Sequence, residues 1–72
     1  MTNEKIESIL TQAIEDIYSK QSEEILSKLG SVEDAVQSAI DGIEYNEVDG
    51  MNAKEAYDFY LDWALDCIAS VL

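Results

Sequence analysis

The chain of 72 residues contains no histidine, no arginine and no proline. Without histidine it lacks the most common general base and the most common zinc ligand. Without arginine it lacks the side chain that clamps a phosphate through two parallel hydrogen bonds. It also has no glycine-rich phosphate loop. Segment 45–52 is rich in oxygen ligands but misses the calcium-loop spacing, since with Gly50 as sixth position the twelfth is Ala56. The sequence therefore predicts a protein that is not an enzyme and has neither a metal site nor a cofactor.

The single cysteine, Cys67, excludes a disulfide within the chain. No lysine lies near it in sequence to lower its pKa, so we interpret it as a buried structural thiol. The first residues lack the positive stretch and apolar run of a signal peptide, which favours a cytoplasmic protein. The last twenty residues are long enough to cross a bilayer. However, Asp58, Asp62 and Asp66 would each cost about 2.5 to 3.5 kcal/mol near its middle, so no membrane span is predicted.

Basic residues are also scarce, with four lysines against sixteen acids and a formal net charge of -12. This balance disfavours binding to nucleic acid or to anionic membranes and favours partners with a basic surface. Apolar residues make up 47% of the chain and recur periodically, which is typical of a folded domain. We expect one domain, residues 1–72, near the lower size limit for a stable apolar core.

The first half of the chain has helical periodicity that ends at Gly30. A helix capped by Thr2 or Asn3 has apolar residues at Ile6, Leu10, Ala13, Ile14, Ile17, Tyr18, Ile25 and Leu29. The simplest interpretation is one helix of about 26 residues, since Gly30 suits a helix end. The alternative is a break near Lys20–Ser22, where no apolar side chain is available and Ser22 can cap a new helix.

The second half contains two further helices with clear start signals. Ser31 and Asp34 have the form of a capping box, and the helix that follows ends at Ile40 or continues through Gly42 to Glu44. Asp49-Gly50 predicts a turn. Asn52 and Glu55 form a second capping box before the last helix. With no strand pattern, the sequence predicts an all-α fold: a small three-helix bundle, or four helices if the first one breaks.

The last helix is apolar around most of its circumference. This pattern predicts that it is either the centre of the bundle or half of an oligomer interface. Because it has more apolar surface than two amphipathic helices would readily cover, we also expect a homodimer. The residues assigned to this core or dimer surface are Tyr57, Tyr60, Leu61, Trp63, Ala64, Cys67, Ile68 and Val71.

Two acidic groups are the candidate partner-binding surface. Asp58, Asp62 and Asp66 form a ladder with about 6 Å between steps on the last helix. The second group follows the preceding helix, where carboxylates oppose the helix dipole. Phe59 falls in the polar arc and is expected to be an exposed anchor. The full set is Asp41, Glu44, Glu47, Asp49, Asp58, Phe59, Asp62 and Asp66.

These observations favour a non-enzymatic protein that binds another protein. The most specific form of this hypothesis is a nucleic-acid mimic that inhibits a DNA- or RNA-handling protein, since small inhibitors from phages or mobile elements have similar size and acidity. The alternative is a self-assembling module whose acidic face only keeps it soluble. A third hypothesis is a carrier, because Leu29-Gly30-Ser31-Val32 resembles the serine turn of acyl carrier proteins. The Asp-Ser-Leu core of that motif is missing, so no family is assigned.

Overall fold

The computed structural model describes residues 2–71 and has an all-α fold. In chain order its elements are α1 (Asn3–Tyr18), α2 (Glu23–Leu29), α3 (Val32–Gly42), a 3₁₀ helix (Tyr45–Val48) and α4 (Ala53–Ala69). Between residues 2 and 71 there is no strand. The predicted small helical bundle is confirmed, in its four-helix form.

The first helical stretch is broken between Tyr18 and Glu23. The backbone N–H of Gln21 donates to the carbonyl of Tyr18 at 3.1 Å, which closes a tight turn. Ser22 then caps α2, with its hydroxyl accepting from the N–H of Ile25 at 3.4 Å. One continuous 26-residue helix is therefore wrong and the alternative is confirmed. The physical reason is that residues 19–22 offer no apolar side chain to bury, whereas Ser22 stabilises a new helix start.

Side-chain caps begin all four α-helices. The caps and the backbone N–H groups that donate to them are Thr2 with Lys5 (3.2 Å), Ser22 with Ile25 (3.4 Å), Ser31 with Asp34 (3.1 Å) and Asn52 with Glu55 (2.9 Å). At α4 the capping box is complete, because the Glu55 carboxylate accepts from the Asn52 N–H at 3.3 Å. Each cap contributes about 1 kcal/mol, which matters in a chain of this size.

Two glycines make the sharp turns. Gly30 has φ 85° and ψ -162°, a region that only glycine enters readily, and it separates α2 from α3. Gly50 has φ 89° and precedes α4, as the Asp49-Gly50 dipeptide predicts. Gly42 is the last residue of α3, between the two ends that the sequence allowed.

The central element of the bundle is α1, not α4. Seven of its sixteen residues are buried: Ile6, Ile9, Leu10, Ala13, Ile14, Ile17 and Tyr18. Their spacing gives α1 a wide apolar stripe that contacts α3, the 3₁₀ helix and α4. In the 3₁₀ helix, Val48 is 1% exposed and closes one end of this core.

On α4 a single row of residues is buried, four residues apart: Ala56, Tyr60, Ala64 and Ile68. The small side chains of Ala56 and Ala64 permit a close approach of the α4 backbone to α1. Tyr57, Leu61 and Cys67 are partly buried beside this row. The expectation of burial around most of α4 is therefore wrong for the single chain, in which Trp63 is 41% and Val71 is 38% exposed. The reason is that only α1 covers α4 extensively.

Both α3 and α4 pack on α1 rather than on each other. A space is therefore left between them along one side of α1. No helix within residues 2–71 is both long and apolar enough to cross a membrane.

Candidate functional site: an apolar groove with acidic rims

An open apolar groove runs between α3 and α4. Its floor is formed by Leu10, Ile14 and Tyr18, which follow one another at four-residue steps along α1. This floor is about 12 Å long at 1.5 Å per helical residue. The groove has two adjoining sections of about 140 and 280 Å³, which share Ser38, Ala39 and Trp63 as lining residues.

The α3 wall is made of small side chains. Ala35, Ser38, Ala39 and Gly42 line it at spacings of three and four residues, so they share one side of the helix. This wall was not predicted from the sequence. The available signal was the run of small residues at helical spacing, which permits a close approach by another chain.

The α4 wall is aromatic. Phe59, Trp63 and Cys67 line it at four-residue steps. Phe59 is only partly buried and meets the ring of Tyr60 edge to face, with centroids 5.4 Å apart at 76°. The expectation of a freely exposed Phe59 anchor is therefore corrected: its ring packs against the core, and Trp63 is the large exposed side chain on this wall.

Tyr60 carries a buried hydroxyl with no hydrogen-bond partner among residues 2–71. The side chain is 4% exposed and lines the section of the groove that ends at Glu44 and Glu47. Burial raises the pKa of Tyr60, and the negative charge of Glu47 raises it further. A buried hydroxyl without a partner is costly, and such groups are rare in folded proteins.

The aspartate ladder is exposed and runs beside the aromatic wall. Asp58, Asp62 and Asp66 are all exposed on α4. Asp62 follows Phe59 by three residues and Asp66 follows Trp63 by three, so each carboxylate is a surface neighbour of a wall residue. Asp62 and Asp66 therefore border the groove on its α4 side, and Asp58 lies one helical turn before Asp62.

The second acidic group is divided by the structure. Asp41, Glu44, Glu47 and Asp49 are all exposed, but only Glu44 and Glu47 line the groove. Asp41 follows Ser38 by three residues and lies on the α3 rim, where its carboxylate accepts from Gln37 at 3.0 Å. Asp49 lines a separate surface depression with Asn3 and Ile6.

Two tyrosines tie distant parts of the chain to α1. The Tyr57 hydroxyl donates to the Asp16 carboxylate, and the Tyr45 hydroxyl donates to the Glu7 carboxylate at 2.9 Å. The bond from Tyr57 lowers the pKa of Asp16 and raises the pKa of Tyr57, while the bond to Glu7 raises the pKa of Tyr45. Tyr57, assigned from sequence to the core or dimer surface, thus makes a contact between helices of one chain.

Cys67 is partly buried in the α4 wall. Burial raises the pKa of its thiol, and Asp66 adds to the effect, so the thiolate is disfavoured. Within residues 2–71, cysteine, aspartate and glutamate side chains form no group of three that would suit a metal ion.

Comparisons with protein-family models, curated proteins and solved structures found no match. Function is therefore inferred from the groove and the charges around it.

Proposed function

We propose that this chain is a non-enzymatic, acidic helical protein that acts by binding another protein with a basic surface. Support comes from a net charge of -12 and from the concentration of exposed carboxylates along one helix. Charge on this scale speeds the encounter with a basic partner and repels acidic ones.

The observation that carries this proposal is the position of the aspartate ladder. Asp58, Asp62 and Asp66 repel each other, at a cost of about 0.2 to 0.5 kcal/mol per adjacent pair in an isolated helix. The only nearby cation on α4 is Lys54, one turn before Asp58. A costly row of charge beside exposed Trp63 is typical of a recognition surface, where acids surround an aromatic anchor.

The most specific target class is a protein that handles DNA or RNA, which the chain would inhibit by occupying its phosphate-binding surface. The steps of the ladder are about 6 Å apart, whereas phosphates advance about 3.4 Å per strand step along duplex DNA. Successive aspartates would then occupy the positions of roughly every second phosphate.

The test is binding to a panel of basic DNA-binding proteins at low and high salt. Replacing Asp58, Asp62 and Asp66 with asparagine should weaken binding by at least about tenfold, or about 1.4 kcal/mol. The matched control replaces the exposed Glu4, Glu15 and Glu24 with glutamine, which removes the same charge elsewhere. Equal effects of the two triple variants, or affinity that is independent of salt, would exclude recognition by the ladder.

A second candidate function is self-assembly into a homodimer. It is favoured by two further exposed apolar side chains on or after α4, Leu65 (47%) and Val71 (38%). Leu65 is not among the groove-lining residues. Sedimentation should then show a dimer at tens of micromolar concentration, about the range of ordinary weak dimers, and Leu65→Lys should convert it to a monomer. A wild-type monomer at this concentration would contradict self-assembly.

A further inference from the structure

We propose that the groove between α3 and α4 binds one basic amphipathic helix of a partner protein. This inference rests on the proposed function and specifies the partner's chemistry: apolar side chains on one face of a helix, with lysine or arginine on both sides of that face.

The shape of the groove favours a helix over an extended peptide. Its floor and walls are helices whose backbone groups already bond within each helix, so an extended peptide would find few partners for its N–H and C=O groups. A helix satisfies these groups internally. The small residues of the α3 wall permit close approach, and such a helix would complete the bundle between α3 and α4.

The charges around the groove favour a basic occupant over a second copy of this chain. Acids border it on three sides: Asp34 and Asp41 near Ser38 on α3, Asp62 and Asp66 on α4, and Glu44 and Glu47 at one end. None of the four lysines, all within residues 2–71, lines it. A second copy would bring another net charge of -12 against these carboxylates. Like charges across an interface are strongly unfavourable.

The hydroxyl of Tyr60 provides an independent indication of a ligand. It is buried without a partner in the groove section that also contains Glu47. A lysine or arginine that pairs with Glu47 therefore enters the section of the groove that Tyr60 lines. A donor group of the bound helix that reaches the Tyr60 hydroxyl would satisfy a polar group that the free chain leaves unpaired.

The probe is a fluorescein-labelled synthetic peptide of about 15 residues, near the minimum for an isolated helix. Leucines at positions i, i+3, i+4 and i+7 form its apolar face, and lysines and alanines fill the rest. A scrambled peptide of the same composition keeps the charge and removes the apolar face. Fluorescence anisotropy should show that the amphipathic peptide binds at least about tenfold more tightly than the scrambled one, a difference of about 1.4 kcal/mol.

Blocking the groove separates it from the acidic surface as a whole. Ser38 lines both sections and is exposed, so Ser38→Leu fills the groove without removing charge or a core contact. Ser8→Leu is the matched control, since it makes the same chemical change at an exposed serine of α1 that does not line the groove. Ser38→Leu should weaken peptide binding by at least about tenfold. Ser8→Leu should leave peptide binding unchanged, and circular dichroism should show both variants folded.

Three outcomes would overturn the groove assignment. The first is equal binding of the two peptides, and the second is no binding of either peptide. The third is a dimer of the wild-type chain that Ser38→Leu dissociates, because the groove would then be occupied by a second copy. If the two peptides bind equally and the triple aspartate variant binds neither, the proposed function would still hold, but recognition would depend on charge alone. Failure of the proposed function itself would instead appear as no salt-dependent binding to the panel of basic proteins.

Discussion

Replacing Tyr60 with phenylalanine should stabilise the free chain, although it removes a polar atom from a buried tyrosine. The hydroxyl has no partner among residues 2–71, and the side chain is 4% exposed. Leaving a buried donor unpaired costs about 1–3 kcal/mol, whereas phenylalanine keeps the ring and its edge-to-face contact with Phe59. We therefore expect the free energy of unfolding to rise by at least about 1 kcal/mol. In a domain of 60–100 residues this raises Tm by about 4–8 °C.

The assay is thermal and urea unfolding followed by circular dichroism, with Tyr57→Phe as the comparison. That variant makes the same chemical change at a hydroxyl that donates to Asp16, so it should be destabilising. The pKa of Asp16 is lowered in the folded state, so its contribution to stability is present above the unfolded pKa of about 3.9 and is lost as pH falls. The difference between wild type and Tyr57→Phe should therefore shrink in acid. A loss of stability in both variants at neutral pH would show that the Tyr60 hydroxyl has a hydrogen-bond partner in the free chain. That result would refute the predicted cost of burying it unpaired.

Three further predictions follow from the core, a turn and the tyrosines. Ile14→Val removes one methyl group from a side chain that is 1% exposed, so urea unfolding should show the free energy of unfolding reduced by about 0.5–1.5 kcal/mol. An unchanged free energy of unfolding would mean that Ile14 is not tightly packed. Gly30→Ala puts a residue with a side chain at φ 85°, so the same assay should show the free energy of unfolding reduced by about 1–3 kcal/mol. An unchanged free energy of unfolding would mean that the turn between α2 and α3 does not require this positive φ. Hydrogen bonds to Glu7 and Asp16 raise the pKa of Tyr45 and Tyr57, so the stability that these bonds contribute is complete below about pH 10 and is lost as pH rises through the raised pKa values. Tyrosine absorbance and helicity should thus change together in alkali, and tyrosines that ionise as in a free peptide would contradict the contacts described.

The helix boundaries were the most predictable part of the structure, because capping is a local interaction. Ser31 and Asn52 both cap the helices expected from the sequence, and Gly30 adopts the positive φ expected of it. The break after α1 was harder to assign, because Ser22 competes with a continuous apolar stripe. The cap at Ser22, a local interaction, therefore determined the break at residues 19–22, which have no apolar side chain to pack.

The identity of the central helix was not predictable from periodicity alone. A helical wheel shows how much of a helix is apolar, but not which neighbours are available to cover it. On α4, Ala56 and Ala64 make the packed row, while Trp63 points toward the uncovered groove. On α1, large aliphatic residues at spacings of three and four supply most of the core.

The groove and the tyrosine contacts depend on residues far apart in sequence. Tyr57 and Asp16 are 41 positions apart, and Tyr45 and Glu7 are 38 apart. No local pattern distinguishes these acids from the other fourteen. The acidic groups were recognisable as candidates from composition, but their division between the groove and a separate depression required the fold.

Trp63 is the single tryptophan of the chain and lies on the groove wall, so its fluorescence reports directly on the groove. The decisive measurement is its emission maximum and acrylamide quenching before and after saturation with the amphipathic lysine-leucine peptide. If that helix occupies the groove, the emission should shift to shorter wavelength and quenching should fall, because a side chain that is 41% exposed becomes covered. Unchanged emission and quenching with the peptide fully bound would show that it binds elsewhere, and would contradict the groove as the recognition site.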